Sequence, residues 1–106
     1  RREAGWPPFS RLAVFRAEAA QKQPVFRFLN KVRAQVVKSK TDDVDIFGPA
    51  PAIMERRAGR YRAQLLFQSS DRLLLRSFLS STIAHVRSWP SSRRVRWAID
   101  VDPIEL

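Results

Sequence analysis

"FGPAPAIMERRAGRYRAQLLFQ", residues Phe47–Gln68, decides how this chain is built. In its second half Tyr61, Ala63, Leu65 and Phe67 alternate with Arg62, Gln64, Leu66 and Gln68. That period of two marks a strand with one face in a core. In its first half Gly48, Pro49 and Pro51 follow an apolar run, so Val44 to Phe47 is predicted as a short strand closed by Gly48-Pro49. Between the two strands stand Arg56, Arg57, Arg60 and Arg62 around Tyr61, with Ala58-Gly59 supplying a flexible turn. The middle of the chain is therefore a pair of strands joined by a strongly basic connection.

Outward toward the N-terminus, Val25, Leu29, Val32 and Val36 recur at helical spacing behind Pro24, which suits a first helical turn. Arg27, Lys31 and Lys38 turn away from that stripe. Ser10 to Ala17 reads as an inner strand, with Leu12 and Val14 on one face and Ala13 and Phe15 on the other. Gly5-Trp6-Pro7-Pro8-Phe9 is extended, because each proline disfavours helix in its predecessor.

Outward toward the C-terminus, Asp71 is a good N-cap for a helix whose inner face is Leu75, Phe78, Leu79, Thr82 and Val86. Arg72, Arg76 and Arg87 run along its outside, and Trp89-Pro90 ends it. A last strand, Arg94 to Val101, sets Val95, Trp97, Ile99 and Val101 on one face and Arg94, Arg96 and Asp100 on the other, with Asp102-Pro103 terminating it. The order β-α-β-β-α-β predicts an α+β fold of the split type, a four-stranded sheet with both helices on one face. The other face is then open for a partner or for a neighbouring domain.

With 106 residues the chain fits a single domain, 1–106, and the apolar share of 44% is ordinary for a folded protein. The net charge is +10, and 16 of the 20 basic residues are arginine. Guanidinium donates bidentately to phosphate and stacks on bases, so this excess points to a polyanion. No apolar run approaches the roughly 20 residues that span a bilayer, so no membrane partner is expected. Cysteine is absent, and the lone His85 cannot build a metal site by itself. No phosphate-cradling glycine loop occurs. Asp100 and Asp102 lie on one strand face at the chain's end, and Ser80-Ser81 and Ser91-Ser92 have no basic partner at recognisable spacing. His85, near a helix C-terminus, has a structural role. No catalytic residue, metal site or cofactor is expected in this fragment.

The candidate DNA-binding residues are Arg56, Arg57, Arg60, Tyr61, Arg62, Arg94 and Arg96. Arginines on a turn follow a phosphate backbone, and a tyrosine ring stacks on an unpaired base. Arg94 and Arg96 alternate, so they are expected to share a face and extend the basic surface. Tyr61 is open to two readings, since its phase also makes it the first core residue of its strand. Trp97, in phase with Val95 and Ile99, belongs to the core. Arg72 and Arg76 are either a solvated helix face or a docking site for an acidic peptide.

Three blocks, "GWPPFSRLA" (Gly5–Ala13), "FGPAPAIMERRAGRYRAQLLFQ" (Phe47–Gln68) and "RVRWAIDVDPIEL" (Arg94–Leu106), resemble the C-terminal domain of the PriA family, the bacterial replication-restart helicases of the primosome. The resemblance spans nearly the whole chain. It implies a fragment of an ATP-dependent DNA helicase, with residues 1–9 as an extended linker to the helicase core and a fold similar to a small-subunit ribosomal protein. ATP, Mg²⁺ and zinc would belong to the absent parts of that parent. The resemblance further implies single-stranded or forked DNA as ligand and packing against the helicase core. It also implies contact with other primosome proteins and a cytoplasmic place at the replication fork. By the same resemblance, Arg72 and Arg76 stand where the family docks the acidic C-terminal tail of single-stranded DNA-binding protein, with Arg76 replacing an uncharged polar residue. A ribosomal-type RNA-binding domain is the remaining alternative, on fold alone.

Overall fold

A computed structural model describes residues 11–39 and 43–101. The elements run β1 (Arg11–Ala19), α1 (Lys22–Ser39), β2 (Val44–Arg57), β3 (Arg60–Ser69), α2 (Arg72–Arg87), a 3-10 turn (Pro90–Arg93) and β4 (Arg96–Val101). The strands form one four-stranded sheet in the order β2-β3-β1-β4 with antiparallel neighbours throughout. The expected α+β architecture with the split β-α-β-β-α-β order is therefore the observed one. The extended segment 1–9 and the stop at Asp102-Pro103 lie outside the described residues.

The core explains why both helices share one face of the sheet. Phe15, Ala17 and Ala19 of β1 and Tyr61, Ala63, Leu65 and Phe67 of β3 point to the same side. There they meet Val25, Leu29, Val32 and Val36 of α1 and Leu75, Phe78, Leu79 and Val86 of α2, all buried. Each helix contributes a single apolar stripe, so each can only lie flat on that face. Trp97 stacks on Phe15 with ring centroids 5.3 Å apart, which closes the core under β4. Asp71 caps α2 as expected, its Oδ1 accepting from the Leu74 N–H at 3.0 Å.

Two boundaries differ from the sequence reading. β2 does not stop at Phe47; it continues to Arg57. It is an edge strand, and an edge tolerates proline because one row of its backbone groups needs no partner. The prolines and the glycine are absorbed by register shifts between Phe47 and Ala50 and between Pro51 and Arg56. In the second shift Ala52–Glu55 stand opposite Arg62 alone, which pushes Ile53 and Met54 out into solvent. Gly48 has φ +103, and a Cβ there would sit 3.1 Å from the Gln64 carbonyl oxygen, so the first shift requires glycine. The Gly48 carbonyl is held from the helix layer by the Arg33 Nη1 at 2.9 Å.

The hairpin closes on two residues, Ala58 (φ 52) and Gly59 (φ 78), between the paired Arg57 and Arg60. Positive φ at both central positions is the type I′ turn, whose twist matches the flanking strands. The second boundary concerns β4. Pro90–Arg93 forms a 3-10 turn, and Arg94 caps it rather than opening the strand.

Candidate nucleic-acid interface

The face of the sheet away from the helices carries the even-numbered side chains of the pleat: Arg16 and Glu18 from β1, Arg60, Arg62 and Gln64 from β3, and Arg96 and Asp100 from β4. Strand register brings them together, because Glu18 pairs across with Arg62 on one side and with Arg96 on the other. Arg16 pairs with Gln64 and Ala98 in the next rung. The side chains then converge on one carboxylate. Glu18 Oε2 accepts from Arg60 Nε at 3.0 Å and from Arg96 Nη1 at 3.3 Å, and Arg62 Nε lies 3.8 Å from Oε1. Arg16 is ion-paired with Asp100. Four guanidiniums against two carboxylates leave this end of the face at net +2.

Packing gives the cluster a fixed shape. Arg62 also donates from Nη1 to the Met54 carbonyl at 3.1 Å, tying the bulge of β2 to the acidic centre. Arg60 reaches the Glu18 carbonyl as well as its carboxylate. A shallow pocket of about 140 Å³ opens between Arg16, Glu18, Arg62 and Arg96, with Ala52, Ala63 and Ala98 among its walls. Arginines held by a carboxylate keep a net positive field and need little reordering when an anion arrives. Beyond them, Arg56 and Arg57 are exposed at the hairpin tip, with Arg56 Nη2 3.4 Å from the Gly59 carbonyl.

The structure sorts the expected residues into groups. Arg60, Arg62 and Arg96 come together on the open face, and Arg56 and Arg57 extend it along the hairpin. Tyr61 does not join them. It is 2% exposed and faces the helices, where the Phe26 ring lies 5.8 Å away and Lys22 Nζ 5.7 Å from its centroid. Of the two readings open for this residue, core holds, because alternation forces Tyr61 onto the same side as Leu65 and Phe67. Its hydroxyl is buried, with the Glu55 carboxylate as its acidic neighbour. Burial, and after it the Glu55 carboxylate, pushes that phenol above its usual pKa.

Arg94 also departs from expectation. It does not share a face with Arg96, since it precedes the strand; it lines a second pocket on the helix side with Arg27 and Lys31. Arg72 and Arg76 are exposed one turn apart at the start of α2, beside Leu73, which is 73% exposed. That is the opposite end of the sheet, next to Ser69 and the start of β1.

Glu18 and Arg16 were missed in the sequence. The available signal was the alternation Arg16-Ala17-Glu18-Ala19, whose charged members must face away from a core that holds Ala17 and Ala19. Among the described residues no group of three or more His, Asp or Glu side chains is placed to hold a metal ion. Among them, too, no helix is long and apolar enough to cross a membrane.

Comparison with known proteins bears on this arrangement. A family model, the primosomal protein N C-terminal domain, matches residues 2–104. The replication restart protein PriA of Haemophilus influenzae is 29% identical over 106 residues, covering 100% of this chain and 14% of that protein. PriA of Buchnera aphidicola is 30% identical over 102 residues, covering 92% of this chain and 14% of that protein. PriA of Rickettsia felis is 29% identical over 103 residues, covering 97% and 15%. The chain thus spans about a seventh of the length of these relatives. Among solved structures, the de novo designed protein Foldit4 superposes with a TM-score of 0.62 at 9% identity, covering 89% of this chain and 97% of that one, a likeness of fold alone.

Proposed function

Because the chain belongs to the primosomal protein N C-terminal domain family, we propose that it is the part of a replication-restart helicase that holds single-stranded or forked DNA against the motor. The observation that supports this reading is the convergence of Arg60, Arg62 and Arg96 on Glu18 at one end of the sheet face away from the helices. Arg56 and Arg57 carry the positive surface out along the hairpin. Contacts of this kind go to the phosphate backbone, so the site holds DNA without reading its sequence. Unwinding, ATP, Mg²⁺ and zinc belong in this reading to other parts of the parent protein, which works in the cytoplasm with the other primosome proteins.

Each phosphate contact with a single strand contributes about 0.7 to the slope of log affinity against log salt. Fluorescence anisotropy with short single-stranded, duplex and forked DNA at two salt concentrations measures that slope. Arg60→Ala with Arg62→Ala is expected to weaken binding and flatten the slope by about 1.4. Unchanged affinity and slope would remove the open face from consideration.

A second reading rests on the start of α2. Arg72 and Arg76 flank Leu73, a large apolar side chain 73% exposed. Two cations beside an apolar side chain suit an acidic peptide, and the tail of single-stranded DNA-binding protein is the partner proposed for it. Titration with that tail peptide is expected to give binding that Arg72→Glu abolishes; an indifferent variant refutes the site.

A further inference from the structure

The larger of the two pockets described above lies on the helix side of the sheet. It measures about 410 Å³ and is walled by Arg27 and Lys31 of α1, Arg94 and Ser91 at the entry to β4, and Pro24 and Phe28. Its composition differs from that of the open face. Arg27, Lys31 and Arg94 have no acidic partner among the described residues, whereas the open-face arginines are drawn onto Glu18 and Asp100. Lys31 is not idle, since its Nζ lies 4.5 Å from the Trp89 ring centroid, which fixes the ammonium at the rim. Ser91 contributes a buried hydroxyl that has no hydrogen-bond partner.

The two pockets stand back to back at one end of the sheet. Glu18, Arg96 and Trp97 line the first, while Ala19, next to Glu18, and Arg94-Val95, just before Arg96, line the second. Positive charge therefore passes around the sheet end, from Arg96 on the open face to Arg94 on the helix side. A volume of this size accommodates a small ligand, with apolar walls for a planar ring and cations for its phosphate.

We propose that this pocket seats one nucleotide of a single DNA strand, its phosphate held by Arg27 and Arg94, where the strand leaves the open face and turns around the sheet end. The proposal rests on the DNA-binding reading above but uses different residues, so the two fail separately. An acidic peptide would satisfy the same cations; a strand is favoured because it alone is continuous with the charge on the other side.

The test compares the chain with Arg27→Ala/Arg94→Ala and with Arg60→Ala/Arg62→Ala. Circular dichroism confirms that each is folded, as expected for exposed arginines. Anisotropy with labelled oligo-dT is expected to show about tenfold weaker binding for the Arg27/Arg94 pair and a salt slope lower by about 1.4. Amide NMR with thymidine monophosphate is expected to shift Arg27, Ser91 and Arg94. Wild-type affinity and slope for the Arg27/Arg94 pair, with loss in the Arg60/Arg62 pair, overturns the pocket and leaves the open face standing. Loss in the Arg27/Arg94 pair alone keeps the pocket and removes the open face. No loss in either pair removes both. If hexa-aspartate shifts these amides while thymidine monophosphate and oligo-dT do not, the pocket is a peptide site and the nucleotide assignment is wrong.

Discussion

Replacing Glu18 by glutamine isolates the charge at the centre of the open face. Gln keeps an acceptor oxygen for Arg60 and Arg96, so the guanidiniums stay where the carboxylate put them, at 3.0 and 3.3 Å. What disappears is repulsion. A phosphate bound to the far side of one of these guanidiniums sits about 6 Å from the carboxylate, where like unit charges in water repel by about 0.7 kcal/mol. Two such phosphates make about 1.4 kcal/mol, or about tenfold in affinity. At 0.1 M salt, with a Debye length near 10 Å, the gain shrinks to about three- to fourfold. Glu18→Gln is therefore expected to bind single-stranded DNA more tightly than the parent chain, with the advantage fading as salt rises. Anisotropy titrations at low and moderate salt measure both. The cost to folding is small, under about 1 kcal/mol, because these ion pairs are partly exposed to solvent. Binding no tighter than the parent's at low salt refutes the argument, since DNA then passes nowhere near this carboxylate.

Four further outcomes follow from the packing. Phe15→Ala empties a fully buried site and breaks the stack on Trp97, and is expected to cost about 3–5 kcal/mol in urea unfolding, a large part of a small domain's stability. Ala58→Asn places a residue tolerant of positive φ at a turn position held at φ 52; the melting temperature is expected to rise by a few degrees, about 0.5–1 kcal/mol. Asp71→Ala removes the cap of α2 and is expected to lower stability by about 1 kcal/mol in the same assay. Tyr61 is the single tyrosine of the chain, so ultraviolet absorbance follows its ionisation directly, with a midpoint expected above 10.0. The raised folded-state value means that its contribution is intact below the unfolded pKa and is lost as pH climbs through the folded one; Tyr61→Phe is expected to abolish that alkaline loss.

Much of the fold was legible because local signals and burial agreed. The stripes Val25-Leu29-Val32-Val36 and Leu75-Phe78-Leu79-Val86 each have one apolar face, and Asp71 marks the start of α2. The length of β2 was not legible, because prolines forbid a central strand but not an edge, and edge position is decided by pairing with β3. The face of Arg94 was hidden for a similar reason: alternation holds only inside a strand, and the 3-10 turn delays β4 to Arg96. The arginine cluster was visible as composition, yet its centre was not. Glu18 lies about forty residues from Arg60 and nearly eighty from Arg96, and only strand order brings them into one group. Arg27 and Lys31, as turned-away members of an amphipathic stripe, carried no mark distinguishing them from a solvated face.

The irregular outer strand has a consequence for self-association. A sheet edge recruits further strands by offering a regular row of backbone donors and acceptors. On β2, Pro49 and Pro51 have no N–H to give, and the register shifts break the row at two places. That side of the sheet cannot template a copy of itself. Among the described strands, one of the two sheet edges is thus closed to amyloid-like growth, and strand addition falls to the short β4 at the other.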